Sequence, residues 1–516
     1  MTQKVFFGFD VGTSSTKAVL IDANGQLLNT TTTEHTVTRG EHGLVEMPMF
    51  VWWQEFKDLY RALIGGQDFE VIGIGLSGMG PCVGITSLEG IPIAPSALYG
   101  VDWRATDEIQ KLTTRYGKEY LLHTYDSALT SQAGGPKIAW FQQRYAADFE
   151  RGVRFFMPHS WVVWHLTGEY TLDRHSASQM TPLYRPETGE WDDSMVSEIG
   201  GKNLEMPRLG WSNEIAGETR PNPEIPELKG GIPVIFGTID AWAEQESVGA
   251  TENHHLFLMY GTTLFLIANT DRRVRHLSMW GTAGTRKGTH HLAGGLATSG
   301  ALTSWFRDLT GATGFAQLIA EAEGTPAGAH GLLALPYFAG ERTPIQDADA
   351  RGALIGLTLD HTRGHIYRAL LESTAFAVRH NIETMEAAGA NIQGITCAGG
   401  GVKSDFWPQI ISDVTGREQL IRKYTIGASL GDAFMVAQTL GVASDINEWN
   451  PINHVIYPRE MPIYNQLYLD YRQLYVSTKD IQHRLSRLQG QMEPSPQNPV
   501  SPSAAPRPRA GRPYRR

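Results

Sequence analysis

Two carboxylates and two glycine–threonine turns are the residues of this chain best suited to chemistry. Asp10 ends the apolar run Val5-Phe6-Phe7-Gly8-Phe9 and is followed at once by Val11-Gly12-Thr13-Ser14-Ser15-Thr16-Lys17. Midway along, His255-Leu256-Phe257-Leu258-Met259-Tyr260 runs into Gly261-Thr262-Thr263 and then Leu264-Phe265-Leu266-Ile267. Each segment reads as strand, Gly-Thr turn, strand. Such a turn presents backbone N–H groups and hydroxyls at its tip, a set suited to phosphate oxygens. Two of them in two halves of one chain point to a polyphosphate gripped from both sides of a cleft. Asp10 is placed to hold the water shell of Mg²⁺ on nucleotide phosphates, and Lys17 offers positive charge nearby. Alone, Asp10 reads as a strand-end residue capping its turn. The second turn favours the metal role.

Asp240 follows the short apolar strand Ile232-Pro233-Val234-Ile235-Phe236-Gly237 and opens a helical stretch, Ala241-Trp242-Ala243. A carboxylate at a strand's carboxyl end can take the proton of an attacking alcohol, which phosphoryl transfer requires. A helix N-cap aspartate fits the same local sequence. Gly399-Gly400-Gly401-Val402-Lys403-Ser404 follows another strand and opens a helix. Glycines there let the backbone approach a flat ring or ribose closely. The spacing is that of neither a dinucleotide fingerprint nor a P-loop.

The elements that must position these residues form two similar sets. In the first half, a hairpin turns at Asn24-Gly25, a strong tight-turn dipeptide. Helical periodicity covers 56–64, and a buried strand runs over 71–78. Residues 105–120 and 136–150 also read as helical. In the second half, a Gly-Thr hairpin spans 255–270, a long helix about 364–388, a strand 394–398, and helices about 404–414 and 430–440. The expected fold is α/β. We expect domains at 1–247 and 248–486, followed by a disordered tail at 487–516. Residues 491–516 hold seven prolines and five arginines, too little apolar surface to offset the entropy of ordering.

Bulk properties narrow the classes. With 516 residues the chain exceeds what one core supports. A net charge of −10 argues against a general nucleic-acid binder. Two cysteines, Cys82 and Cys397, fit a reducing compartment and no metal site. Met1-Thr2-Gln3-Lys4 leads straight into a strand, and no apolar run reaches the roughly 18 residues of a membrane helix. The expected setting is cytoplasmic, with no membrane partner.

Taken together, these motifs resemble the sugar kinases named for their Phe-Gly-Gly-Tyr signature, which share the actin-like, ribonuclease H-like ATPase fold. The resemblance covers roughly 4–480. Asp10 to Lys17 is similar to the family's first phosphate loop, and Gly261-Thr262-Thr263 to its second. Gly340-Glu341-Arg342-Thr343-Pro344 with Ala350-Arg351-Gly352 is similar to a stretch of the xylulokinase branch. Gly352-Ala353-Leu354-Ile355-Gly356-Leu357, His365-Ile366 and Ala369-Leu370-Leu371-Glu372 resemble the C-terminal signature, and Gly400 to Ser404 the adenosine-side loop. Lys137-Ile138-Ala139-Trp140-Phe141 keeps only the centre of the N-terminal signature.

The resemblance implies two actin-like domains with an interdomain cleft and an ATP-dependent kinase using Mg²⁺. Asp240 would be the catalytic base and Asp10 the metal carboxylate. Gly12, Thr13, Ser14, Lys17, Gly261 and Thr262 would line the phosphates, with Gly400, Gly401 and Ser404 at the adenosine. The substrate would be a small sugar, D-xylulose first, and the assembly a homodimer. One departure concerns that sugar. Xylulokinases carry Gln-Met-His-Gly in the sugar-facing loop and glycerol kinases carry Arg-Glu; this chain has Gly78-Met79-Gly80-Pro81-Cys82. Met79 and Asp102, the latter in Asp102-Trp103-Arg104, are the expected sugar contacts. Trp103 reads as either a stacking or a packing residue.

Overall fold

The computed structural model describes residues 2–66 and 68–491. The first sheet contains β1 (Gln3–Val11), β2 (Ser15–Asp22), β3 (Leu27–Glu34), β4 (Phe69–Gly78) and β5 (Pro233–Ile235). β1, β2 and β3 run antiparallel in succession, while β4 lies parallel to β1 and β5 parallel to β4. The second sheet contains β6 (His255–Tyr260), β7 (Leu264–Thr270), β8 (His290–Leu296), β9 (Gly394–Gly399) and β10 (Gln419–Arg422). It repeats the plan: β6, β7 and β8 antiparallel, β9 parallel to β6, β10 parallel to β9. Each sheet therefore brings a Gly-Thr turn beside the carboxyl end of a parallel neighbour. Open α/β sheets place their ligands at that edge.

Helices cover these sheets. Helix α1 (Phe50–Ile64) buries Trp52, Phe56, Leu59, Tyr60 and Leu63, and Phe56 packs edge-on against Phe7 and Phe9 of β1. Next come α2 (Asp240–Ser247), α3 (Gly300–Thr310), α4 (Arg363–Ala387), α5 (Phe406–Thr415) and α6 (Ala428–Thr439). The chain ends its described part in α7 (Pro462–Gln491), a helix the sequence reading did not include. Its inner face repeats aromatics at helical spacing, Tyr464, Tyr468 and Tyr471, all buried. Residues 487–491 close this helix instead of opening a tail. Arg351 donates to Ser486 Oγ and Gln489 Oε1, fixing that last stretch. The remainder of the expected tail, 492–516, lies outside the described residues. No helix among the described residues is long and apolar enough to cross a membrane.

Helix α6 comes late in the chain yet packs on the first sheet and on α2. Its contact depends on missing Cβ atoms. A Cβ on Gly8 of β1 would sit 1.9 Å from the Ser429 carbonyl oxygen, and one on Gly75 of β4 would sit 1.9 Å from that of Asp432. Backbone therefore rests on backbone, and Phe6, Val19, Ile21, Phe434, Val436 and Trp449 seal the contact in one apolar cluster. Gly75→Ala is expected to lower the unfolding free energy by about 1–3 kcal/mol, because a well-packed interior cannot absorb an extra carbon. Gly314→Ala, with nothing within 4 Å of the new carbon, should change it by less than about 0.5 kcal/mol. Equal urea midpoints for the two variants would contradict this account of the packing.

Candidate active site

Strand register builds the acidic side of the site. Asp10 on β1 lies opposite Ser77 on β4, and Ser77 lies opposite Thr238 in a short strand that extends the sheet. These residues form one row at the carboxyl ends of parallel strands. Two residues past Thr238, Asp240 opens α2, and Glu244 follows one turn later on the same helix. Asp432 reaches the row from α6. The Ser77 hydroxyl lies 3.1 Å from Asp10 Oδ1 and 2.8 Å from Asp432 Oδ2. Among the described residues Asp432 Oδ1 has no partner.

Crowding these acids has an electrostatic consequence. Burial, then the charge of Asp240, pushes the Asp10 carboxyl up to about 8, against the opposing hydrogen bond from Ser77. Burial raises Asp240 to about 6, with the Ala241 N–H and His159 pulling the other way. Glu244 rises to about 7 through burial and the Asp240 charge. Asp432 is held well above its ordinary value by burial and by Asp10. Carboxylates so placed repel one another until a cation arrives, and their hard oxygens suit a small divalent ion. No group of three His, Cys, Asp or Glu side chains able to enclose an ion occurs among the described residues. Mg²⁺ bound with a nucleotide needs only one or two carboxylates, the rest of its shell being water and phosphate. The donor set fits that mode.

The two turns are built alike. The Gly12 N–H donates to Ser15 O at 3.0 Å, and the Gly261 N–H to Thr263 O at 3.0 Å. In both, the glycine is partly covered and the next tip residues, Thr13 and Ser14 or Thr262, are partly or fully exposed. The first turn is braced from beneath: His35 bonds Gly12 O at 3.0 Å and the Glu55 carboxylate at 3.0 Å, and Glu55 also accepts from Thr16. Thr13 Oγ1 lies 3.1 Å from the Tyr99 hydroxyl. The second turn is braced by α3, whose Gly300 N–H donates to Gly261 O.

Because Tyr260 pairs with Gly399, Gly261 and Gly400 lie side by side past the strand ends. They open a cavity of about 540 Å³ lined by Gly261, Thr262, Gly400, Gly401, Ser404 and Trp407, among others. That volume is in the range of small-molecule sites. Trp407 is fixed by donating its indole N–H to Thr374 at 3.0 Å and by edge contact with Tyr260. A glycine wall facing aromatic side chains suits a flat ring.

Lys17 pairs with Asp10 in the β1–β2 register and its charge reaches Asp10 and Glu244, while its ammonium donates to Ile426 O at 2.8 Å, in the loop before α6. Other expected site residues stand elsewhere. Met79 is buried in the first core, its N–H bonded to Val11 O at 2.7 Å. Its apolar side chain gains more from that core than from a wet cleft. Asp102 is fully buried, pairing with Arg104 at 2.7 Å and accepting from Val45 N–H at 2.7 Å. An unpaired carboxylate so deep would be costly, and Arg104 removes that cost. The sugar-facing positions expected at Met79 and Asp102 are thus occupied by structural side chains. Trp103 stays largely exposed and lies over Gly43. Glu244, Asp432 and Tyr99 were not anticipated. Glu244 carried a signal, its spacing of four from Asp240 along a helix.

Residues 5–245 match the N-terminal domain of the FGGY family of carbohydrate kinases, and residues 256–439 match its C-terminal domain. The chain belongs to the FGGY family of carbohydrate kinases. Its two repeated sheets are accordingly the mixed α/β, actin-like ATPase architecture of that family. This FGGY kinase is 25% identical to the xylulose kinase of Bacillus subtilis over 494 residues, 93% of this chain and 98% of that one. It is 28% identical to the glycerol kinase of Clavibacter michiganensis over 469 residues, 87% and 92% of the two chains. The crystal structure of xylulose kinase from Rhodospirillum rubrum superposes with a TM-score of 0.84 at 26% identity, covering 93% of this chain and all of that one.

Proposed function

We propose that this carbohydrate kinase transfers the γ-phosphoryl group of ATP to a hydroxyl of a ketopentose, D-xylulose first, giving D-xylulose 5-phosphate. The observation that carries the transfer is the row of strand ends that sets Asp240 facing Asp10 beside the first Gly-Thr turn. Ala241 N–H holds Asp240 Oδ1 at 2.7 Å, which leaves Oδ2 to accept a proton. With its carboxyl at about 6, Asp240 is mostly ionised at neutral pH and still basic enough to draw the proton as the new bond forms. The sugar oxygen then bonds to phosphorus, the bond to the β-phosphate oxygen breaks, and ADP leaves. Gly12, Thr13, Ser14, Gly261 and Thr262 offer backbone and hydroxyl donors to the phosphates. Gly400, Gly401 and Ser404 hold the adenosine in the cavity beside Trp407. Asp10 is the residue to carry Mg²⁺, which when bound neutralises charge on the transferring group. Closure of the two sheets would keep water out.

Xylulose is favoured by the Gly340–Pro344 and Ala350–Gly352 stretches, and by the names of the Bacillus and Rhodospirillum relatives. The Clavibacter relative keeps glycerol in view, but no Arg-Glu pair occupies the loop at Met79. The test is an ATP-consumption panel of D-xylulose, other ketoses, glycerol, gluconate and a deoxy-sugar. D-xylulose is expected to give the highest kcat/KM. A tenfold advantage for another compound would replace it. Turnover of none would favour a sensor that binds ATP and sugar without catalysis.

A further inference from the structure

The transfer outlined above makes no use of His159 or Asp173, both fully buried beside the strand that delivers the base. The helix Pro158–Thr167 starts against the row of strand ends. A Cβ on Gly78 would sit 2.8 Å from Pro158 Cβ and 3.5 Å from the backbone nitrogen of His159. Gly78 lies opposite Ile239, the residue before Asp240. Asp173 meets the same short strand from another segment. Its Oδ1 accepts the Thr238 hydroxyl at 3.4 Å, the Ser212 hydroxyl at 3.1 Å and the Ser176 N–H at 3.0 Å, while its Oδ2 lies 3.0 Å from His159 Nε2. Thr238 is two residues before Asp240 and is itself fully buried. One carboxylate is thus shared by His159 and by the strand that ends at the base.

His159 commits one nitrogen to Asp173 and leaves the other idle. Its Nδ1 is buried and, among the described residues, has no hydrogen-bond partner. A buried polar atom without a partner is unfavourable, so packing alone does not account for a histidine at this place. Burial raises the Asp173 carboxyl, but the hydrogen bond and charge of His159 outweigh it and hold the group below its ordinary value. An ionised carboxylate in the interior keeps a cation beside it, and His159 is the side chain placed to be that cation. The neighbouring His175 is pushed down to about 4 by burial and bonds Ala283 O and Gln179, so it carries no charge at neutral pH. Asp10, Glu244 and Asp432, which all feel the charge of Asp240, are acids. Lys17 reaches Asp10 and Glu244; His159 is the cation that reaches Asp240, where it joins the Ala241 N–H in opposing burial.

We propose that His159 is a positioning residue for the base: aligned by Asp173, it stands as a cation beside Asp240 and holds that carboxylate ready for the alcohol proton. This rests on the kinase reading of the same site. The test uses the full chain. His159→Gln keeps an amide N–H for Asp173 and removes the charge. With any sugar the wild type phosphorylates, H159Q should lower kcat by about 10- to 100-fold, the range for groups that act by holding a reacting residue in place, with the sugar KM and the Kd for ATP within about threefold. In an Asp240→Asn background the same change should leave the residual kcat within about twofold, because a residue that acts through Asp240 has nothing left to act on. A role in folding alone would lower kcat equally in both backgrounds. Asp173→Asn, which keeps an acceptor for Thr238 and Ser212, should give the same pattern and replaces H159Q if that variant does not fold. A second readout needs no turnover. At pH 8, D240N should raise the urea midpoint more in H159Q than in wild type, because the Asp240 charge has then lost the cation beside it. An unchanged kcat, equal losses in the two backgrounds, equal midpoint shifts, or a change confined to the sugar KM would overturn the assignment. Unequal midpoint shifts in an enzyme idle on every sugar would support the pairing of His159 with Asp240 and break the kinase reading instead.

Discussion

Asp240→Asn is expected to lower kcat by about 10³–10⁴, with the Kd for ATP changed by less than about twofold. Asparagine keeps the shape of the side chain and its Oδ1 still accepts the Ala241 N–H, so α2 stays in place. What disappears is the basic oxygen for the alcohol proton. Nucleotide affinity should survive because the cavity of Gly261, Gly400 and Trp407 belongs to the other sheet. The same residue sets a pH signature. Its carboxyl is raised to about 6 and only the ionised form can act, so kcat/KM should fall as pH drops below about 6. The limb belongs to an interacting cluster, because Asp10 and Glu244 both feel the charge of Asp240. The residual activity of D240N should lack that limb. Turnover within tenfold of wild type, or an unaltered limb, would remove Asp240 from this role.

What could be read from the sequence was local. The Gly-Thr turns, the Asn24-Gly25 hairpin and the buried strands are written in contiguous residue types, and the structure places them at 15–22 and 27–34, and at 255–260 and 264–270. Asp10 was legible because its turn is adjacent. Asp240 was ambiguous because its partner is more than 200 positions away and meets it only through the register of three strands. Asp432 gave no signal, since its place depends on α6 crossing to the first sheet over Gly8 and Gly75. Met79 and Asp102 were expected at the sugar because their segments, Gly78-Met79-Gly80 and Asp102-Trp103-Arg104, stand where the family resemblance puts its sugar-facing loop and its Asp-x-Arg. Here an apolar core and an Arg104 partner claim them.

Asp10→Asn is expected to cut turnover by about 10²–10³ at low millimolar Mg²⁺ and to shift half-saturation by Mg²⁺ upward. The first figure is the usual effect of losing one charged partner of a transferring group. Excess metal should recover part of the loss. The same change should stabilise the unliganded protein. Asp10 is raised from 3.8 to about 8 in the fold, so between those values the folded state keeps a proton that the unfolded chain has released. Its contribution to stability is therefore complete below about pH 4 and is lost as pH rises through about 8. Asparagine carries no charge to bury, so apo D10N should melt above wild type at pH 8 and converge with it near pH 4. Mg²⁺–ATP should then raise the wild-type Tm more than that of D10N, since only the carboxylate gains a counter-ion. The pairing of lost activity with gained stability separates a charge held ready for metal from a carboxylate that merely caps its turn. A capping residue would lose stability on substitution and leave the Mg²⁺ titration where it was.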